Sequence, residues 1–450
     1  MKHIKYPPAM QWEVLPTCNH NCIHCYNYWR TDKQLAPDTC DPQYMEIAVR
    51  IVRQKPAFCV ITGGEPLLVF SKLTDPIKLL ITNGIYVSLN TNATLVTDEI
   101  ADFLCENNVG VLVSLPCSDP AICDQITGID GSFDRIIKGI KCLIAKKIRL
   151  TVNMVVMQSN KDKVISTAEF LSSMRVDSFF ASRVGKPANS SSEFDKELLA
   201  AAEVTKMQWD LINVRSQFHI NIGSAGPFPS CSFDSDILYQ EFACEKKCTA
   251  GKISYAVDFS GNVKACPRDD RAFGNILSDE FSRIWESMEQ WRDDSLLPEQ
   301  CSKCAIKKHC SGGCRLDSYP LAGCRNQYDS LFDQSKLPVK YKKLRPQQIL
   351  DVVDEYPDYQ VLSPKVIRIK RDEMLLVNRR MIFVQEDFGW RASVGSRFMY
   401  ITNGLKNYLE NRQYVAQKDL SVDFEVSDEV ASSLIEMLLD SNLLYQKGGD

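Results

Sequence analysis

At 450 residues the chain is longer than one ordinary domain, and its length suggests about three. A formal net charge of −4 gives no electrostatic case for a nucleic-acid partner, and no apolar run approaches the roughly 20 residues that cross a bilayer. The first residues, Met1-Lys-His-Ile-Lys-Tyr-Pro-Pro, lack the apolar core of a secretory signal, so the expectation is a cytoplasmic protein without a membrane partner. Eighteen cysteines in that compartment point to metal ligands rather than disulfides.

The first elements alternate short apolar runs with helical patterns. The runs are Met10–Leu15, Phe58–Thr62, Ile85–Asn90, Val109–Leu115, Leu150–Val156 and Ser178–Ser182. Between them, segments such as Gln43–Gln54, Ser132–Ala145 and Lys163–Met174 repeat apolar residues every three or four positions. Nearly continuous Val, Ile and Leu suits strands buried on both faces, and the alternation implies parallel βαβ units.

Cys18, Cys22 and Cys25 follow the first run with spacing C-x3-C-x2-C. A closed zinc or iron–sulfur site wants four protein ligands. Three thiolates can hold three irons of a [4Fe–4S] cube and leave the fourth open. Gly63-Gly64-Glu65-Pro66 ends the second run, where residues without side chains let backbone approach a ligand. Together these motifs resemble the radical S-adenosylmethionine (SAM) superfamily. The resemblance implies a partial (β/α)6 barrel, with the open iron chelating SAM and one electron cleaving it. It also implies that the GGEP turn lines the methionine end of SAM, with Glu65 an acceptor for its ammonium. Polar residues at the C-terminal ends of the strands, Asn90, Asn92, Ser114, Asn153 and Arg183, are candidate SAM contacts. The sequence departs from related enzymes after the fourth run: Ser114-Leu115-Pro116-Cys117 replaces Ser-x-Asp-Gly, and Thr127 stands near an expected Arg.

Eight cysteines fall between positions 244 and 324. Cys248-x12-Gly261-x4-Cys266 is followed by Cys301-x2-Cys304-x5-Cys310-x3-Cys314, with Cys324 after nine intervening residues. The order resembles the seven-cysteine SPASM extension of peptide-modifying radical SAM enzymes. Zinc ribbons are the competing reading of C-x2-C pairs. Two closed cubes need eight ligands, and Cys244 or Cys231 can supply the eighth, Cys244 being preferred. The resemblance implies that Cys244, Cys248, Cys266 and Cys314 hold one auxiliary cluster and Cys301, Cys304, Cys310 and Cys324 the other. Asp258-Phe-Ser-Gly-Asn262 reads as a hairpin turn placing Cys248 and Cys266 on neighbouring strands. Sulfatase-maturing relatives carry a proton-accepting Asp after the equivalent of Cys266. Pro267 cannot serve as a base, which argues against that activity.

The basic, Pro-containing stretch 336–346 reads as a linker. Beyond it lie strand-like runs Val366–Ile369, Met374–Val377 and Met381–Val384. Helical patterns follow at Thr402–Glu410 and Asp428–Asp440, the latter with Val430, Leu434, Met437 and Leu438 on one face. This resembles, loosely, a winged-helix-like module that captures leader peptides by strand addition, the alternative being a cap over the SPASM domain.

The sequence therefore describes an α/β barrel over 1–225, a SPASM domain over 226–335 and a small α+β module over 336–450. By resemblance it is an enzyme with three [4Fe–4S] clusters and SAM, served by a one-electron donor such as flavodoxin or ferredoxin. It would abstract hydrogen from a ribosomally made precursor peptide and form a carbon–carbon or thioether crosslink. The rivals are maturation of a protein target and a zinc-stabilised peptide-binding scaffold.

Overall fold

The computed structural model describes residues 4–27, 43–186, 194–243, 246–293, 295–317, 327–337 and 370–446. Strands β1 (Ala9–Glu13), β2 (Phe58–Thr62), β3 (Tyr86–Thr91), β4 (Gly110–Ser114), β5 (Leu150–Val156) and β6 (Ser178–Arg183) pair in chain order, each parallel to the next. Helices fill the intervals: α1 (Gln43–Arg53), α2 (Phe70–Thr82), α3 (Asp98–Glu106), α4 (Pro120–Thr127), α5 (Ser132–Ala145) and α6 (Val164–Ser173). Their ends carry local signals. The Thr97 side chain accepts from the Ile100 amide at the start of α3. Asp119 does the same for α4, with Pro120 next to it, and left-handed Gly128 ends that helix.

The strands are not closed on both faces. Cys59, Ile61, Val87, Leu89, Val111, Val113, Val152 and Met154 are fully buried with the helices' apolar residues in one core. The alternating positions Val60, Ser88, Asn90, Leu112, Thr151 and Asn153 are only half-buried, so the inner face of the barrel is open. This corrects the expectation of two buried faces.

The sheet does not end with the sixth unit. A short β7 (Asn221–Gly223) adds beside β6. At the other edge β8 (Ser254–Val257) pairs parallel with β1 and turns through a hairpin into β9 (Asn262–Lys264), followed by β10 (Gly274–Asn275). The cluster-domain hairpin thus continues the barrel sheet. Its turn is built as expected: the Asp258 carboxylate accepts from the Ser260 and Asn262 amides, and Gly261 adopts φ 84°. Cys248 and Cys266 flank the two strands rather than lying on them.

The C-terminal module has two three-stranded antiparallel sheets. One is β11 (Leu375–Val377) between β15 (Tyr414–Val415) and β16 (Leu444–Tyr445). The other is β12 (Ile382–Glu386), β13 (Gly389–Val394) and β14 (Arg397–Ile401). Helices Asn403–Glu410, Gln417–Asp423 and Asp428–Asp440 complete it. The run Val366–Ile369 lies outside the described residues.

The module docks on the floor of the barrel, at the N-terminal ends of its strands. Buried Arg391 donates to the carbonyls of Tyr6 and Lys55, which precede β1 and β2. The Lys5 amide donates to Glu386 at 2.9 Å, and Ile382 packs on Gly84 ahead of β3. Arg391 also lies near Tyr255 of β8, so the module borders the cluster-domain hairpin as well as the barrel.

Candidate active site and cluster sites

The first cysteine loop leaves the C-terminal end of β1 and is tied down on three sides. The Asn21 and Ile23 amides donate to the carbonyls of Thr127 and Ile126. The Asn27 side chain donates to the Gly63 carbonyl at 2.9 Å. Thr127, noted for standing where an Arg was expected, here anchors the loop through its backbone. The Cys18 sulfur receives the His20 amide at 3.4 Å and faces the Asn92 amide nitrogen at 3.9 Å. N–H groups turned toward sulfur favour the thiolate, as cluster ligation requires. Cys18 is exposed, and Cys22 and Cys25 are half-buried.

The GGEP turn passes directly behind this loop. A Cβ on Gly64 would stand 1.7 Å from the Thr17 carbonyl oxygen, and one on Gly63 2.7 Å from that of Leu15. Both glycines are therefore demanded by backbone packing. The Gly64 and Glu65 amides donate to those same two carbonyls, at 2.7 and 2.9 Å.

Glu65 is buried and already engaged. Its carboxylate accepts from the Thr91 hydroxyl (2.6 Å), the Asn92 amide (2.8 Å) and the Leu67 amide (3.1 Å). Burial pushes its carboxyl up to about 6 against these donors. The structure shows Glu65 bracing the turn against the end of β3, in place of a carboxylate turned to the lumen. Pro66 opens the short 3-10 turn that follows.

Asn92 continues the brace. Its side chain donates to Asn19 at 2.7 Å and accepts from the Thr94 amide and hydroxyl. Asn90, Ser114 and Asn153 stand on the open inner face, with Ser114 and Asn153 paired in register across β4 and β5. The Ser182 hydroxyl donates to Asn153 at 2.7 Å. Arg183 behaves differently from the expectation. Its guanidinium is buried, donating to Asp329 at 2.6 and 2.9 Å and pairing with Asp317 at 3.3 Å. It is a strut between β6 and the cluster domain.

Asp317 also receives Arg268 at 2.6 Å, and Arg268 reaches the Cys314 sulfur at 3.5 Å. The Cys314 amide donates to Asp329 at 2.8 Å. Cys248 lies close enough to Cys266 and to Cys314 to influence the charge of each. Cys244 and Cys324 lie outside the described residues. Cys301, Cys304 and Cys310 line one cavity. Among the described residues no three His, Cys, Asp or Glu groups converge tightly enough for a single metal ion. Cluster thiolates stand farther apart, each on a different iron. The loops fit the clusters: cysteines are grouped in three places, with amide or guanidinium donors on Cys18, Cys310 and Cys314.

Sequence reasoning missed the Glu13–Lys264 pair. The two side chains are buried and meet at 2.6 Å, pinning β1 to the hairpin beside Cys266. Burial pushes the Glu13 carboxyl up to about 7 against the pull of Lys264. A charge inside the apolar run Met10–Leu15 was the available signal.

Residues 12–171 match the model of the radical SAM superfamily, and residues 248–305 that of SPASM, an iron–sulfur cluster-binding domain. The chain is a radical SAM enzyme with a SPASM extension. Among its relatives is the mycofactocin maturase MftC of Mycolicibacterium smegmatis, 24% identical over 331 residues, covering 68% of this chain and 78% of that one. Another is the AdoMet-dependent heme synthase of Methanosarcina barkeri, 27% identical over 337 residues, covering 70% and 93%. Streptococcus suis SuiB bound to its precursor peptide SuiA shares the fold with a TM-score of 0.57 at 17% identity, covering 73% and 76%.

Proposed function

We propose that this enzyme uses SAM to modify a ribosomally made precursor peptide, joining residues of that peptide by a carbon–carbon or thioether bond. When bound, the reduced cluster supplies the electron that cleaves SAM to a 5′-deoxyadenosyl radical, which takes a hydrogen from the substrate. The chain's own residues hold, orient and shield. Cys18, Cys22 and Cys25 would hold three irons of the cluster that reduces SAM. Gly63 and Gly64 let the turn pass behind them, and Glu65 and Asn92 fix its position. Asn90, Ser114 and Asn153 offer polar groups to the adenosyl and methionine parts of SAM. Cys244, Cys248, Cys266 and Cys314 hold the first auxiliary cluster. Cys301, Cys304 and Cys310 hold the second, with a fourth thiolate that the resemblance puts at Cys324. An external one-electron donor such as flavodoxin or ferredoxin reduces the first cluster.

The observation that carries the peptide reading is the C-terminal module. The β12 side of its second sheet faces the barrel floor through Ile382 and Glu386, while β14 has no strand beside its outer edge among the described residues. Such an edge can take an added strand from an extended peptide. Val430 and Met437 are half-exposed on helix Asp428–Asp440, whose Asp440 carbonyl accepts from Arg397 of β14. These apolar groups suit a leader's side chains. The heme synthase relatives give a second reading, a small-molecule substrate, which leaves this edge without a task.

Co-expression with short peptides encoded beside the gene decides between them. A peptide mass loss of about two hydrogens supports crosslinking. An unchanged peptide, with SAM consumed only on adding a tetrapyrrole, supports the second reading.

A further inference from the structure

The cavity beneath the C-x2-C-x5-C segment has four cysteines in its wall. Cys301, Cys304 and Cys310 are joined there by Cys231, together with Pro229, Phe332 and Leu337. Cys231 comes from the loop after β7, far upstream, and no spacing rule connects it with the other three. It is 5% exposed.

The local structure aims it inward. Pro229–Ser232 form a tight turn closed by the Ser232 amide on the Pro229 carbonyl at 2.9 Å. The Ser230 amide donates to the Cys310 sulfur at 3.3 Å, so the turn lies against the cysteine segment. Phe228 and Phe233 meet edge to face at 6.0 Å on either side of the turn. Lys336 holds the Ser232 carbonyl at 3.4 Å. The Asp333 amide faces the Cys231 sulfur, a donor that favours thiolate, although burial and then the neighbouring Cys310 push the free thiol up to about 11. Both amide–sulfur contacts are of the kind that cluster thiolates accept.

A closed cube takes four thiolates, one for each iron. The described residues of this cavity already supply four. We infer that Cys231 is the fourth ligand of the second auxiliary cluster, joining Cys301, Cys304 and Cys310 and taking the place assigned by resemblance to Cys324. The inference rests on the radical SAM and SPASM reading above. Its structural consequence is specific. The cluster domain enters the barrel sheet at the β1 edge through β8, and the second cube then fastens the loop after β7 at the opposite edge.

Wild type, Cys231→Ala and Cys324→Ala, as full chains reconstituted anaerobically with iron and sulfide, are compared by iron and acid-labile sulfide per chain and by electron paramagnetic resonance after reduction. Cys231→Ala is expected to lose the signal of one cube and about four of roughly twelve irons, while Cys324→Ala keeps both. A Cys231→Ala protein with wild-type iron and an unchanged spectrum overturns the inference. If that variant precipitates, Cys231→Asp keeps a ligand at the position. A shifted cluster signal then supports ligation, and an unshifted one overturns it. Formation of 5′-deoxyadenosine is measured in parallel. Wild type that fails to cleave SAM contradicts the enzyme reading, whereas wild type that cleaves SAM beside an unaltered Cys231→Ala spectrum contradicts the ligand assignment alone.

Discussion

The Glu65 carboxylate accepts three hydrogen bonds before any ligand arrives. Glu65→Ala strands the buried Asn92 and Leu67 amides and the Thr91 hydroxyl, at about 1–3 kcal/mol for an unsatisfied buried group. A loss of at least about 2 kcal/mol in urea unfolding is therefore expected, larger than the effect on SAM affinity. Because burial raises this carboxyl from 4.5 to about 6, the neutral form is favoured in the folded state. Its stabilising contribution is complete below pH 4.5 and is lost as pH rises through about 6, roughly 2 kcal/mol in all. Unfolding midpoints measured across that window should fall with pH in wild type and flatten in Glu65→Ala. Arg268 belongs to the same scale. It brings a positive charge and a hydrogen bond to the Cys314 sulfur, and both favour the reduced cluster. Arg268→Gln is expected to lower the reduction potential of the first auxiliary cluster; a potentiometric titration with an unchanged midpoint would separate Arg268 from that cluster. The GGEP motif told from sequence that Glu65 mattered. Its bonding partners depend on how β2 and β3 end side by side, which no spacing reveals.

At the scale of elements, the Glu13–Lys264 pair fastens the hairpin β8–β9 to β1. Removing one member of a buried pair costs about 3–5 kcal/mol, because the other charge is left without a partner. Lys264→Met should lower the melting temperature sharply, and Glu13→Leu combined with Lys264→Met should recover most of the loss. Equal melting of Lys264→Met and wild type would mean that the hairpin is held by its backbone pairing alone. The barrel elements were legible because their apolar runs are long and separated by helical periods: Phe58–Thr62, Leu150–Val156 and Ser132–Ala145 match the structure residue for residue. The C-terminal module was less so. Strands Gly389–Val394 and Arg397–Ile401 are interrupted by polar residues such as Arg391, which is buried only because it reaches across to the barrel. On helix Asp428–Asp440 the core face is Ala431, Ile435 and Leu438. Val430 and Met437, expected to join Leu438 there, are half-exposed. Two apolar stripes run along that helix, and periodicity cannot tell which one meets the core.

Across the whole molecule, the cysteine loop and the C-terminal module occupy opposite ends of the barrel strands. Five to seven residues of strand separate them by about 20 Å. A leader held at β14 must therefore connect to its modified residues through at least about six extended residues. Shortening that spacer below this length should abolish modification while leaving leader affinity unchanged in fluorescence anisotropy. Deleting 370–450 should cut peptide affinity at least tenfold, about 1.4 kcal/mol, and leave iron content and uncoupled SAM cleavage in place. The assignment of radical chemistry to the first loop is tested most directly by 5′-deoxyadenosine formation from SAM and dithionite, measured anaerobically on reconstituted wild type and Cys22→Ala. Wild type should produce it, and Cys22→Ala should fall to background while keeping about eight irons in its auxiliary clusters. Equal rates in the two proteins would contradict the assignment and place the active cluster elsewhere.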